Sequence, residues 1–321
     1  MNFLNSSIII TPKATGKIIP QSLICRAVVD SKPPISKPIT GIVELASCTK
    51  NNNSENDGAI IKAQYTLTFQ CMKLALLQAS YYGKEGHVAS ALSIVDILFV
   101  LYDGVMNIAL DNMHAEDRDY LILSKGHASL AHAAILEAKK FITKSELMSY
   151  CSHESILGGH LDKIKVPGVE ASTGSLGHGI AISIGVALAS KIKKIQNRIF
   201  VIVGDGECNE GTFWESMLLG ANHDLDNLCC IIDYNRSNDR ALKLDSLEEK
   251  LNAFGWSVEV IDGHSHNEII RSTNNTFPGK PKAIIANTIK GCGVKEMENN
   301  PAWHHRSPSK EELKEMIKEL S

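Results

Sequence analysis

The stretch Ile199-Phe-Val-Ile-Val-Gly-Asp-Gly-Glu-Cys-Asn-Glu-Gly211 decides the fold. Five apolar residues, four of them β-branched, run straight into Gly-Asp-Gly, and a helical pattern follows over 210–223. An unbroken apolar run of this length bounded by glycine marks a strand buried on both faces. Gly204 and Gly206 allow close backbone approach to a ligand, and Asp205 offers a hard oxygen. The helix that follows presents free N–H groups to an anion. The unit is therefore strand, ligand-competent turn, helix.

The same grammar recurs on either side. Tyr120–Leu123 precedes a helix near 128–139, and Leu228–Tyr234 precedes one near 246–254. Trp256–Ile261 and Ala283–Asn287 complete the strands. Upstream, 59–82 and 90–104 read as amphipathic helices, the second with Ile94, Ile97, Leu98 and Leu101 at helical spacing. A charged helix runs from Ser309 onward, its Lys/Glu face simplest as a solvated surface, and no internal repeat is found. Continuous apolar strands alternating with helices predict an α/β domain over 59–321, a doubly wound parallel sheet with helices on both faces. Ligands of such sheets bind beyond the carboxyl ends of the strands. One strand ends in Asp233-Tyr-Asn235, so Asp205 and Asn235 fall at neighbouring strand ends. A carboxylate, an amide oxygen and a backbone carbonyl beside a diphosphate suit Mg²⁺ or Ca²⁺.

Composition narrows the function classes. The chain has 321 residues, 44% hydrophobic and 21% charged, with a net charge of −3. That balance gives no field for gripping nucleic acid or an anionic membrane. The longest nearly apolar stretch reads as Gly179–Ala189, short of the roughly 20 residues that span a bilayer, so neither membrane nor nucleic acid is expected as a partner. Eight cysteines without a C-x-x-C pair argue against structural zinc and a disulfide framework, and for a reducing compartment. Residues 1–58 differ from the rest, with several prolines and a closing polar tract, Lys50–Gly58. They read as a disordered extension outside the fold. Their first carboxylate is Asp30, and this acid-free beginning resembles a transit peptide, with Leu23-Ile-Cys-Arg-Ala27 like a plastid processing site. A plastid or other organelle is the expected location, a cytoplasmic one the alternative.

Six landmarks in order give the chain a family resemblance over about 59–321. They are Gly86-His87, Ser124-Lys-Gly-His127, Gly158-Gly-His160, Ser172-Thr-Gly-Ser-Leu-Gly-His-Gly179, Gly204-Asp-Gly with Asn235, and Ile289-Lys-Gly-Cys-Gly-Val294 followed by Trp303-His-His-Arg306. The series resembles the thiamine-diphosphate domain of transketolases, in particular the separate N-terminal subunit of split, two-chain members. The resemblance implies thiamine diphosphate and Mg²⁺ as cofactors, Ca²⁺ or Mn²⁺ being substitutes. It implies Asp205 and Asn235 as metal ligands, with the carbonyl of Ser237 as a third. Gly206 and His127 are implied as diphosphate contacts, and Gly174 and Leu176 as the pair that positions the aminopyrimidine. Glu210 matches an acid linking the two active sites of the family's dimer. His87, His160 and His305 match imidazoles lining the sugar channel, where protons move near neutral pH.

The implied activity is transfer of a two-carbon ketol group from a ketose, or its phosphate, to an aldose acceptor. The family's second domain, which carries the glutamate that activates the cofactor, is not in this sequence. A C-terminal partner subunit is therefore expected, in an assembly with two copies of each chain. The alternatives are a non-catalytic cofactor-binding or regulatory subunit, and another thiamine-diphosphate enzyme such as a deoxyxylulose-phosphate synthase or a dehydrogenase E1 subunit. After Asn235 the chain departs from the family's short apolar step into Asp-Gly, reading Arg-Ser-Asn-Asp-Arg-Ala-Leu242 instead. His264 and His266 read as parts of a polar loop, Cys208 as a small filler, and Lys290 as either a rim contact or a solvated lysine.

Overall fold

A five-stranded sheet organises the protein. The computed structural model describes residues 54–239 and 242–320. The extension read over 1–58, with its processing-like Leu23–Ala27, lies outside the described residues as far as residue 53. Strands β1 (Tyr120–Leu123), β2 (Ile199–Gly204), β3 (Leu228–Tyr234), β4 (Ser257–Asp262) and β5 (Lys282–Asn287) lie in the order β1-β2-β3-β5-β4. Every neighbouring pair is parallel. β2 is buried along its whole length, as its unbroken apolar run requires, whereas the edge strand β4 is partly exposed.

Nine α-helices surround the sheet among the described residues: α1 (Ser54–Gly83), α2 (Val88–Val100), α3 (Ser129–Ala138), α4 (Lys144–Met148), α5 (His178–Lys193), α6 (Gly211–Asn222), α7 (Leu247–Ala253), α8 (His266–Asn274) and α9 (Lys310–Leu320). The first begins at Ser54, five residues before the expected start. α2 continues through one wider turn, Leu101–Val105. This segment, rather than Gly179–Ala189, is the long apolar stretch of the chain. Residues 88–105 are long and apolar enough to cross a membrane, but 89% of that window is buried inside the fold. A helix that is apolar all round and packed on every side is a core helix.

One core lies where α5 and α6 pack beside β2 and β3. Ile180, Ile184, Phe213, Met217 and Trp256 interlock with the strand side chains, and the Trp256 indole N–H donates to the Met217 carbonyl at 2.8 Å. The close fit needs Gly220, where a Cβ would come within 2.7 Å of Trp256. The carboxyl ends of β1, β2, β3 and β5 consequently converge on one edge with their following loops.

Candidate active site

The β2 and β3 ends bring the three expected metal ligands together. Gly204 pairs with Asp233 in the ladder, which puts Asp205 and Asn235 on adjoining loops. Ser237 joins them: its Oγ donates to Asp205 Oδ1 at 3.4 Å and its N–H to Asn235 Oδ1 at 3.0 Å. Asp205 also accepts from the Gly206 N–H at 2.8 Å and the Asn238 N–H at 3.3 Å. It is only 5% exposed, and no cation lies within ion-pair distance among the described residues. Burial and the neighbouring Asp233 carboxylate push its pKa up. A buried carboxylate served only by amides and a hydroxyl, beside an amide oxygen, fits a hard divalent cation.

Beneath these residues sits a layer that sequence reasoning does not single out. Asp233 is fully buried, and its carboxylate accepts from Ser93 Oγ at 2.6 Å, from Asn235 Nδ2 at 3.0 Å, from Thr288 Oγ1 and from the Lys125 ammonium. Burial works against its charge, but Lys125 and the two hydroxyls hold its carboxyl below the usual range. Because Asp233 takes the amide N–H of Asn235, the amide oxygen is the atom left facing Ser237. Glu207 is the second such residue. Its carboxylate accepts from Ser124 Oγ at 2.5 Å, the Gly177 N–H at 2.9 Å and the Gly204 N–H at 2.8 Å, tying three loops into one wall. Burial raises its pKa despite those bonds. The only sequence signal is its place in Gly204-Asp-Gly-Glu207, one turn into the β2 loop.

The histidines gather above this wall. The ring of His87 lies 5.2 Å from that of His127, 5.5 Å from His304, and stacks on His305 at 4.5 Å. His87 also bridges in parallel to Arg306, which draws the 303–306 segment to the start of α2. Burial, then the neighbouring His305 and His304, lower the His87 pKa to about 4. Burial and Lys125 lower that of His127 to about 2. Both rings are therefore neutral at physiological pH. His305 is exposed and pairs with Glu85. His304, passed over in the sequence in favour of its neighbour, meets the Lys290 ammonium through Nδ1 at 3.0 Å. Lys290 is buried, which excludes the solvated alternative.

His160 closes the other side. Its ring packs on Gly126 and Gly174, where a Cβ would lie 2.8 and 2.9 Å from its Cδ2. Gly174 has φ +157, at the edge of what other residues adopt. Leu176 is 49% exposed beside this loop. A Cβ on Gly177 would meet Glu210 at 2.9 Å, so Glu210 stands against the same loop. Gly206 is partly exposed in the β2 turn. Cys208 is buried with its thiol pKa pushed well up, as a filler would be. The buried Asp205 carboxylate, with glycine turns and imidazoles gathered on the neighbouring loops, fits a metal-bound diphosphate cofactor.

Comparison with known proteins agrees. The chain matches the family described as "Transketolase, thiamine diphosphate binding domain" over residues 65–321. It is 37% identical over 253 residues to a subunit of the apulose-4-phosphate transketolase of Phocaeicola vulgatus, covering 77% of this chain and 90% of that protein. It is 36% identical over 255 residues to the 6-deoxy-6-sulfo-D-fructose transketolase subunit SqwG of a Clostridium species, covering 77% and 92%. Its fold matches that of the transketolase from Leishmania mexicana with a TM-score of 0.74 at 23% identity, covering 80% of this chain and 41% of that one. The chain thus spans nearly the whole of the separate subunits but about two fifths of the solved transketolase. With both its sequence and its parallel sheet accounted for in this way, the chain belongs to the transketolase family, as a carrier of its thiamine-diphosphate-binding domain.

Proposed function

We propose that this chain is the cofactor-binding half of a two-chain transketolase that moves a two-carbon ketol group from a ketose to an aldose. The observation that carries the reading is the set Asp205, Asn235 and Ser237, a buried carboxylate without a cation next to an amide oxygen. Asp205 and Asn235 would hold Mg²⁺ through their side-chain oxygens and Ser237 through its carbonyl. Ca²⁺ or Mn²⁺ would substitute, since all three prefer oxygen donors. Gly206 and His127 would face the diphosphate, and Gly174 and Leu176 the aminopyrimidine. Glu210 would reach toward a second active site. Thiamine diphosphate, when bound, supplies a carbanion sink that no side chain here offers.

The chain's own residues orient the sugar and handle its protons. His87 stays neutral because it is buried among other imidazoles, so it can both accept and donate. His160 stands at one rim, and His305, steadied by Glu85, at the other, where donor hydroxyls would lie. His304 belongs with them.

A partner chain is part of the proposal. The relatives named as transketolase subunits support it, as does the half-exposed Leu176 on the loop that carries Gly174. We assign the pyrimidine-binding half to that partner, with two copies of each chain. Residues 1–58 remain, in this proposal, an extension outside the domain that directs the chain to an organelle; imaging a reporter fused to them tests that.

Calorimetric titration of the chain with thiamine diphosphate and Mg²⁺ tests the central reading. Binding should require Mg²⁺ and tighten with a complementary C-terminal subunit. Outer partners of a metal site are typically worth 10–100-fold, so losing a ligand in Asp205→Ala should weaken binding by about a hundredfold or more. No binding by the unaltered chain under any pairing would favour a regulatory subunit instead.

A further inference from the structure

The loop after β5 carries Lys290 into the site, and it is fastened from an unexpected direction. Asp96 is 4% exposed on α2, and its carboxylate is shared by two histidines, His264 Nδ1 at 3.0 Å and His266 Nε2 at 3.0 Å. A carboxylate only accepts, so both ring nitrogens facing it must donate, which fixes a tautomer in each ring. The opposite nitrogens are then acceptors. His266 Nδ1 takes the Tyr65 hydroxyl at 2.8 Å, and His264 Nε2 takes the backbone N–H of Ile289 at 2.9 Å. Burial opposes charge on His264 while Asp96 draws its pKa up to about 10. Yet an Nε2 that accepts the Ile289 amide carries no proton, so the geometry fixes the neutral ring.

Ile289 is flanked by the two residues that matter. Thr288 Oγ1 contacts Asp233 and lies 3.1 Å from Ser93 Oγ, one turn before Asp96 on α2. Lys290 donates to His304 Nδ1 at 3.0 Å, which leaves Nε2–H as that ring's outward donor. Gly291 N–H then donates to the Ala89 carbonyl, again on α2, at 2.9 Å. Across 288–291 the loop is thus held by α2 and, at Thr288, by β3, with the Lys290 carbonyl accepting from the Asn299 N–H at 2.8 Å, and His264 is the side chain that takes the Ile289 N–H.

We propose that His264, oriented by Asp96, is a positioning residue that holds Lys290 and, through it, His304 at the diphosphate end of the site. The proposal rests on the cofactor reading above. His264 touches neither substrate nor cofactor itself; it acts by denying the loop the freedom to swing Lys290 away. The same arrangement explains why two histidines in a polar-looking segment are spent on one buried carboxylate.

The test compares His264→Leu, which removes the acceptor, with His264→Gln, whose Oε1 can still take the Ile289 N–H. Two readouts are used on the full chain. The first needs no cofactor: amide hydrogen exchange at Ile289 and the ¹⁵N shift of His304, which reports its tautomer. His264→Leu should speed exchange at Ile289 by roughly tenfold or more and move the His304 signal toward the tautomer mixture of a free imidazole, while His264→Gln should stay near the unaltered protein. The second is binding of thiamine diphosphate with Mg²⁺. His264→Leu should weaken it by about as much as Lys290→Ala, and the double variant should be no worse than either single one. Unchanged exchange at Ile289 in His264→Leu, or a double variant whose losses multiply, would overturn the proposal. Should His264→Leu fail to fold, Asp96→Asn, which leaves one histidine without an acceptor, is read by the same exchange experiment with the same two outcomes. An unaltered chain that binds no cofactor would undo the functional reading alone, because the cofactor-free arm still decides the role of His264.

Discussion

Single residues here owe their properties to where the chain buries them. His132 is the simplest instance: a fully buried imidazole on α3 whose Nε2 lies 3.1 Å from the Tyr102 hydroxyl. Burial alone lowers its pKa from 6.5 to about 4. Above pH 6.5 the ring is neutral in both the folded and unfolded chain, and its contribution to stability is complete. Between pH 6.5 and about 4 only the unfolded chain takes the proton, so stability falls as pH falls. The slope should be about 1.4 kcal/mol per pH unit for this group. Urea unfolding at pH 7 and 5.5 should therefore show a shallower pH dependence in His132→Gln than in the unaltered protein. His87 and His127 add slopes of the same sign. The sequence singles out Asp205, Asn235, His87, His127 and His160 because each stands beside glycine or at a strand end in a short contiguous pattern, and the structure brings Asp205, Asn235 and Ser237 onto adjoining loops. Asp233, Glu207 and Asp96 do not stand out, because most of their partners come from segments distant in sequence. The Lys125–Asp233 pair, for example, joins positions 108 residues apart.

Elements were legible in proportion to how strongly burial shapes their sequence. β1 and β3 came out at their observed bounds because strands buried on both faces leave unbroken apolar runs. α4 and α8 were missed, being five and nine residues long, too short for a clear period. Both nevertheless carry start signals in Thr143-Lys-Ser-Glu146 and Ser265-His-Asn-Glu268, and in each the hydroxyl accepts the N–H of the glutamate three residues on. α5 hid for the opposite reason: Ala, Gly and Ser dilute its apolar stripe. Its small residues serve close packing against the β1 loop. A Cβ on Gly179 would lie 2.5 Å from the Ser124 Cα, and backbone cannot yield as a flexible side chain can. Gly179→Ala should therefore push α5 outward and cost about 1–3 kcal/mol, read as a lower unfolding midpoint in urea. Because Ser124 donates to Glu207, the same change should loosen the wall under Asp205.

For the molecule as a whole, α5 and α6 leave four large apolar side chains uncovered. Ile182, Ile192, Leu218 and Leu219 stand 40%, 73%, 58% and 49% exposed on these two adjoining helices. Solvated helices seldom spend so many large side chains on water, and this supports the assembly proposed above. Replacing Ile182 and Leu219 by glutamate should shift the protein to a smaller species in sedimentation velocity without lowering its unfolding midpoint. An unchanged sedimentation coefficient would place the interface elsewhere. The parallel bridge between His87 and Arg306 has one more consequence, in time rather than space. On the ribosome, the first imidazole of the cluster emerges more than two hundred residues before the segment that lays His304 and His305 beside it. The sheet can form before the site is closed. A nascent chain would then present Asp205 and Asn235 uncapped, and the histidine cluster would be completed only once the 303–306 segment has been made.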